Sequence, residues 1–213
     1  MSVAVKICGL NAPEAVAAAV EGGASLTGFV FFSASPRNVS PATAARLMAA
    51  VPDGILKVGL VVDADDRALE AIVRQAPLDL LQLHGDESVE RVAEIKERFE
   101  RPVMKVVAIS GPRDIDRAHA YEAVADRLLF DARAPAGATR PGGNALAFDW
   151  RLVAGEAWRV PWLLAGGLTA ETLSEAVRVS GALAVDVSSG VEDAPGRKNP
   201  DKIRAFLAAA RRL

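Results

Sequence analysis

The sequence predicts an α/β protein, a single-domain (β/α)8 TIM barrel spanning residues 1–213, and three observations predict it. Short Val, Leu and Ile runs alternate with amphipathic, Ala-rich runs from one end of the chain to the other. The alternation repeats eight times. The apolar runs are too continuous for strands wetted on one side, and they suit a parallel sheet covered on both faces. Eight such units in 213 residues favour closure into a barrel near the lower size limit of that fold. An open, doubly wound sheet is the alternative. It usually has fewer strands, and the first strand–helix turn here lacks a G-x-G-x-x-G pattern.

Taken in order, strands are expected over 3–8, 26–32, 56–62, 78–83, 103–108, 128–131, 162–165 and 184–187. Helices fall between them, over 13–22, 41–50, 65–75, 87–99, 113–125, 149–155, 170–179 and 200–211. In the first strand Val3, Val5 and Ile7 alternate with Ala4 and Lys6, Gly9 opens a turn, and a helical run follows from Asn11. Ser40-Pro41 is an N-cap followed by proline at the first helical position, and Thr169 can cap before Ala170. The one long irregular stretch is 132–147, with Pro135, Gly137, Pro141, Gly142 and Gly143. A loop of that length in a small barrel is expected to lie over the mouth and to carry function.

Composition narrows the function. Hydrophobic residues make up 51% and charged residues 24%, ordinary for a globular enzyme. No apolar run approaches the roughly 20 residues of a membrane span, and the N-terminus does not read as a signal peptide. A net charge of −2 does not suggest nucleic acid as a partner. A single Cys forms no internal disulfide and fits a reducing, cytoplasmic setting. Two His and one Cys are a poor stock of soft metal ligands, so no metal site is expected.

Active sites of such barrels lie at the C-terminal ends of the strands. Those ends present Cys8, the segment S-A-S-P-R at 33–37, Asp63, then Gln82, His84 and Gly85. Lys105 follows, slightly inside its strand end, then Asp131, Gly166-Gly167, Asp186 and Ser188-Ser189-Gly190. Glycines let backbone N–H groups approach an anion closely, and hydroxyls add donors, so the last two loops read as a phosphate cup with few cations. Gly142-Gly143 could add a third wall. Arg37, held by Pro36, is a fixed cation suited to a carboxylate, although taken alone it reads better as a solvated surface Arg. Cys8 and Asp131 could face each other across the mouth and move protons at a sugar phosphate. Asp131 could instead be an N-cap or a partner of Arg133, and Asp186 a structural anion within the barrel. His84 has no carboxylate neighbour in sequence and is expected to bond backbone and shape the mouth.

The chain resembles the phosphoribosylanthranilate isomerases of tryptophan biosynthesis over essentially its whole length. The resemblance is carried by V-K-I-C-G-L at 5–10, G-F-V-F-F-S-A-S-P-R-N-V at 28–39 and V-G-L-V-V-D at 58–63. It continues through L-Q-L-H-G-D-E at 81–87, L-L-F-D-A at 128–132 and G-G-N-A-L-A-F-D-W at 142–150, and ends with L-A-G-G-L at 164–168 and D-V-S-S-G-V-E at 186–192. It implies a cofactor-free, metal-free Amadori rearrangement of a phosphorylated riboside, N-(5-phosphoribosyl)anthranilate, by a cytoplasmic monomer or homodimer. It further implies Asp131 as general acid on the ribose ring oxygen and Cys8 as general base at C2. Arg37 would hold the anthranilate carboxylate, and Gly143, Gly166, Gly167, Ser188, Ser189 and Gly190 the phosphate. The family's G-G-T/S-G stands here as Gly142-Gly143-Asn144-Ala145, so Ala145 is not carried over. A histidine-pathway isomerase of the same fold would want carboxylates at the ends of strands one and five, where Cys8 and Lys105 stand. A non-catalytic phosphate binder would need neither Cys8 nor Asp131.

Overall fold

Eight parallel strands hydrogen-bond in chain order and close on themselves. They are β1 (Ala4–Cys8), β2 (Leu26–Val30), β3 (Leu56–Val61), β4 (Leu80–Leu83), β5 (Val103–Ile109), β6 (Arg127–Ala132), β7 (Trp162–Leu164) and β8 (Ala184–Val187). The computed structural model describes residues 3–135, 137–144 and 146–213. Closure sets β1 beside β8 in the register Ala4↔Ala184 to Ile7↔Val187. Among the described residues seven α-helices ring the barrel: α1 (Pro13–Glu21), α2 (Pro41–Met48), α3 (Asp66–Gln75), α4 (Val89–Phe99), α5 (Pro112–Tyr121), α6 (Leu173–Ser180) and α7 (Pro200–Ala210).

Alternation along each strand sorts the side chains into two cores. Leu26, Val58, Leu80, Met104, Val106, Leu129, Leu163 and Ala165 fill the barrel interior, and Cys8, Val30 and Leu60 form a smaller layer near its mouth. Val5, Ile7, Phe29, Leu81, Val107 and Phe130 face outward, into the core shared with the helices. Lys105 has the outward parity of Val103 and Val107. It therefore points away from the barrel mouth, where its place near a strand end would put it, and its ammonium lies 5.5 Å from the ring centre of Tyr121.

Helix starts follow local chemistry. Ser40 accepts from the Thr43 amide at the start of α2, as expected, and Asp65, Ser88 and Asn199 cap α3, α4 and α7 in the same way. The first helix begins at Pro13, as the expected span 13–22 has it, with proline at its first position. Two expectations are corrected. The expected helix over 149–155 is only a 3-10 turn, Trp150–Leu152, capped by Asp149. Gly155, at φ +76°, ends that segment before enough turns accumulate to offset nucleation. The helix expected from Ala170 begins at Leu173, because Thr169 and Thr172 cap one another's amides in a preceding turn. One element had no counterpart in the sequence reading: an antiparallel hairpin of β9 (Glu192–Ala194) and β10 (Arg197–Lys198) after β8. No helix among the described residues is long and apolar enough to cross a membrane.

Candidate active site

A cavity of about 760 Å³, counting its open mouth, lies at the C-terminal ends of the strands. Its lining includes Cys8, Arg37, Asp131, Gly143, Gly166, Gly167, Ser188, Ser189 and Gly190, the residues to which the resemblance gives roles, whereas Asp63, Gly85 and Lys105, also expected at the strand ends, do not line it. The long segment after β6 contributes Arg140 to Asn144 and Leu146 to the wall, as expected of a loop over the mouth. Ala145 lies outside the described residues.

Cys8 ends β1 and is buried. Lys6, two residues upstream on the same face, is fully buried and donates to Asp186 Oδ1 at 2.7 Å. Burial pulls the Lys6 ammonium down, but Asp186 and Cys8 outweigh it and the net shift is upward. Lys6 therefore stays charged beside the thiol. From sequence alone, Lys6 two residues upstream on the same strand face and a helix starting nearby predict a lowered thiol pKa for Cys8. The net shift runs the other way: burial pushes it up and Asp186 adds to that, against the pull of Lys6 and Lys198. In a dry site a thiolate loses more hydration than two nearby ammonium groups return.

Asp131 ends β6. Its Oδ1 accepts from the Ala132 amide at 2.8 Å, and its Oδ2 lies 3.5 Å from His84 Nε2. His84, thought from sequence to lack a carboxylate neighbour, has one here, 47 positions along the chain. The His84 amide donates to Val61 O, and Nδ1 lies 3.4 Å from Gln82 Nε2. Gln82 Oε1 is buried and finds no partner among the described residues. Arg133, the alternative partner for Asp131, pairs instead with Asp114 at 2.6 Å. A Cβ at Gly142 would come within 2.7 Å of Asp131 Oδ2 and 2.6 Å of His84 Cε1, so only glycine lets the loop settle on this pair.

Arg37 is 3% exposed and far from a solvated side chain. Its Nε donates to Glu192 Oε1 at 2.7 Å and its Nη2 to Glu192 Oε2 at 2.8 Å, a bidentate pair. Nη2 also approaches Gly143 O at 3.4 Å. Nη1 finds no acceptor among the described residues, and Arg37 lines the cavity, which leaves one donor end for a ligand.

The glycine loops after β7 and β8 also line the cavity. Gly166 and Gly167 hold φ of +88° and +65°, backbone that other residues rarely adopt. The backbone of Leu146 and Ala147 packs directly on them. Gly190 lies so close to Leu168 O that no side chain fits. The expectation that this cup has few cations needs correction. Lys198, on β10, donates to Ser188 O at 2.9 Å, Ser188 Oγ at 3.2 Å and Glu192 Oε1 at 2.7 Å. Burial outweighs the pull of Glu192 and brings the Lys198 ammonium down to about 8.

Glu192 and Lys198 were missed from sequence. The only signal available was the Val191-Glu192 dipeptide at the end of the S-S-G motif, because the partner, Arg37, lies 155 positions away. Lys105 serves elsewhere. It pairs with Glu87 at 2.6 Å and donates to Gly85 O at 2.6 Å, which pins the loop after β4. Among the described residues no group of three or more His, Cys, Asp or Glu side chains is gathered as a metal-ligand set.

Residues 5–209 match the family described as "PRAI: N-(5'phosphoribosyl)anthranilate (PRA) isomerase". The N-(5'-phosphoribosyl)anthranilate isomerase of Paramagnetospirillum magneticum is 56% identical over 211 residues, covering 99% of this chain and 98% of its own length. Two crystal structures are similar to this one, each with TM-score 0.85, 35% identity, and coverage of 99% of this chain and all of the other. The first is a phosphoribosyl anthranilate isomerase in complex with reduced 1-(o-carboxyphenylamino)-1-deoxyribulose 5-phosphate. The second is described as mutually generated monomers of the dimeric Thermotoga maritima isomerase.

Proposed function

The chain belongs to the N-(5'-phosphoribosyl)anthranilate isomerase family, and from that premise we infer how its own residues carry out the isomerisation of tryptophan biosynthesis. The substrate is N-(5-phosphoribosyl)anthranilate and the product 1-(2-carboxyphenylamino)-1-deoxyribulose 5-phosphate. Asp131 gives a proton to the ribose ring oxygen. The C1–O bond breaks, the electron pair goes to that oxygen, and the nitrogen lone pair closes C1=N as an iminium cation. Cys8 then removes the C2 proton as thiolate, and the C2–H electrons form C1=C2 while the iminium returns to a neutral amine. The resulting enol tautomerises to the ketone, with a proton added at C1.

The placement of groups supports these roles. Cys8 and Asp131 line one cavity, whereas a mere binder needs neither. The cationic iminium forms in the same enclosed space as the buried thiol, which favours the thiolate at the moment it is needed. Arg37 takes the anthranilate carboxylate with its free Nη1 end, and Gly143, Gly166, Gly167, Ser188, Ser189 and Gly190 hold the phosphate. The enzyme works as a single domain in the cytoplasm, without cofactor, metal or nucleic acid, as a monomer or homodimer.

The observation that carries these roles is the convergence of Cys8, Asp131, Arg37 and the glycine loops on one cavity. The test is turnover of the riboside, followed by loss of its anthranilate fluorescence, in the intact chain and in Cys8→Ser and Asp131→Asn. Each variant should lose about 10²–10⁴-fold, the share assigned to a general acid or base step. Near wild-type turnover in either removes that residue from the mechanism.

A further inference from the structure

The β9–β10 hairpin carries a buried ion network that the proton steps do not use. Glu192 accepts three charge-assisted hydrogen bonds, two from Arg37 and one from Lys198, at 2.7 to 2.8 Å. Lys198 continues the chain to the carbonyl and hydroxyl of Ser188. One carboxylate thus stands between the cation assigned to the substrate's carboxylate and the loop assigned to its phosphate. The side chains of Arg37, Glu192 and Lys198 are each 4% exposed or less, so water cannot screen or replace these contacts. A guanidinium is planar. With Nε and Nη2 fixed on both oxygens of Glu192, the direction of Nη1 is fixed as well. The hairpin itself is locked to the loops after β1 and β2. Asn11 Nδ2 donates to Gly196 O at 2.8 Å, and the α-carbon of Gly196 packs so tightly on Pro36 O that no side chain fits between them.

We propose that Glu192 is a positioning residue for the isomerase: it aims Arg37 and, through Lys198, sets the Ser188 loop, so that the two anion-binding ends stand at the spacing of one substrate bearing both a carboxylate and a phosphate. This rests on the roles given above to Arg37 and the Ser188 loop. It follows that loss of Glu192 damages both ends at once, whereas loss of either cation damages one.

The experiment measures KM and kcat for the riboside in the full chain, with inorganic phosphate and anthranilate as separate competitive inhibitors. Glu192→Gln keeps the shape and removes the charge. It should raise both inhibition constants and raise KM by more than it lowers kcat. Arg37→Ala should weaken anthranilate alone, and Lys198→Met phosphate alone. Adding Glu192→Gln to Arg37→Ala should leave anthranilate no weaker than in Arg37→Ala, because the two act as one unit. Glu192→Asp, which keeps the charge on a shorter arm, covers the case in which Glu192→Gln does not fold, and it should also weaken both inhibitors. Loss of only one inhibitor's affinity in the Glu192 variants, or a fall in kcat at unchanged KM, overturns the proposal. Unchanged anthranilate affinity in Arg37→Ala overturns instead the reading on which it rests.

Discussion

The two sides of the cavity are built differently. On the side of β1, β2 and β8, cations and carboxylates are joined at hydrogen-bond distance: Lys6 to Asp186 at 2.7 Å, and Arg37 and Lys198 to Glu192 at 2.7 Å. On the side of β4 and β6 the contacts are long. His84 stands 3.5 Å from Asp131 and 3.4 Å from Gln82, whose Oε1 is orphaned. On the roles proposed above, the base and both anion-binding ends sit in a field organised before substrate arrives. The proposed acid, Asp131, sits in an incomplete network beneath the loop from Arg140 to Asn144. On that proposal the site is preorganised for binding and proton removal while its proton donor waits for the substrate and the loop to complete its surroundings.

The sharpest way to break that contrast is to compare the pH dependence of the two proton-transfer variants. The thiol of Cys8 is pushed above its ordinary value, and a base acts only when deprotonated. Wild-type kcat/KM should therefore climb with pH toward that raised value. The climb is opposed above about 8, where Lys198 loses its charge behind Ser188 and phosphate affinity falls. Cys8→Ser should recover slightly as pH rises, whereas Asp131→Asn should stay flat, since an amide has no proton to give at any pH. Parallel profiles would mean that the two residues do not divide the work in this way.

A smaller but still large effect is expected on stability. Lys6→Met leaves Asp186 buried without its cation, and breaking a buried pair in this way costs about 3–5 kcal/mol. His84→Leu removes only a long contact at the surface of the cavity and should cost well under half of that. Chemical denaturation of both variants checks the order. Equal losses would erase the difference between the two sides.

Next comes the phosphate wall. Gly167→Ala places a methyl at φ +65° against the backbone of Ala147, with 3.0 Å between the new carbon and that amide nitrogen. Strain of about 1–3 kcal/mol is expected there. Ser188→Ala should cost about 1 kcal/mol of phosphate affinity, one hydrogen bond, because Lys198 remains behind the loop. Inorganic phosphate affinities of the two variants in the reverse order would show that side-chain donors, and not backbone approach, hold the anion.

The smallest effect lies at the opposite end of the barrel and serves as a control. His119 stacks on Trp158 with ring centres 4.4 Å apart and faces Glu122 at 2.9 Å and Glu156 at 3.5 Å. Its pKa is raised, first by the hydrogen bond to Glu122. A raised histidine contributes stability that is fully present below its unfolded value, near 6.5, and is lost as pH rises through the folded value. His119→Gln should therefore lower Tm at pH 5.5 more than at pH 9, with kcat unchanged at both. A change in kcat would place the clasp within the catalytic machinery.

Much of this molecule is legible along the chain. Val3 to Ile7, the Ser40-Pro41 start and the glycines at 166, 167 and 190 act on their immediate neighbours, and short-range sterics and alternation suffice to read them. The same locality allowed Cys8, Asp131 and the Ser188 loop to be placed at strand ends, and hence in one mouth. Partner choice is another matter. Closure of the ring, with β1 registered on β8, brings Asp186 to Lys6 and the hairpin after β8 to Arg37, across more than 150 positions. Outward parity on β5 sends Lys105 to Glu87 and away from the cavity, and the ends of β4 and β6, which flank β5, bring His84 to Asp131. Burial also reversed the expected shift of Cys8, since the sequence shows that a lysine stands two residues away but not how little water reaches the thiol. Local patterns determine which segments become strands and which residues end them. Electrostatics and hydrogen bonding depend on distances through space, and those exist only once the barrel has closed.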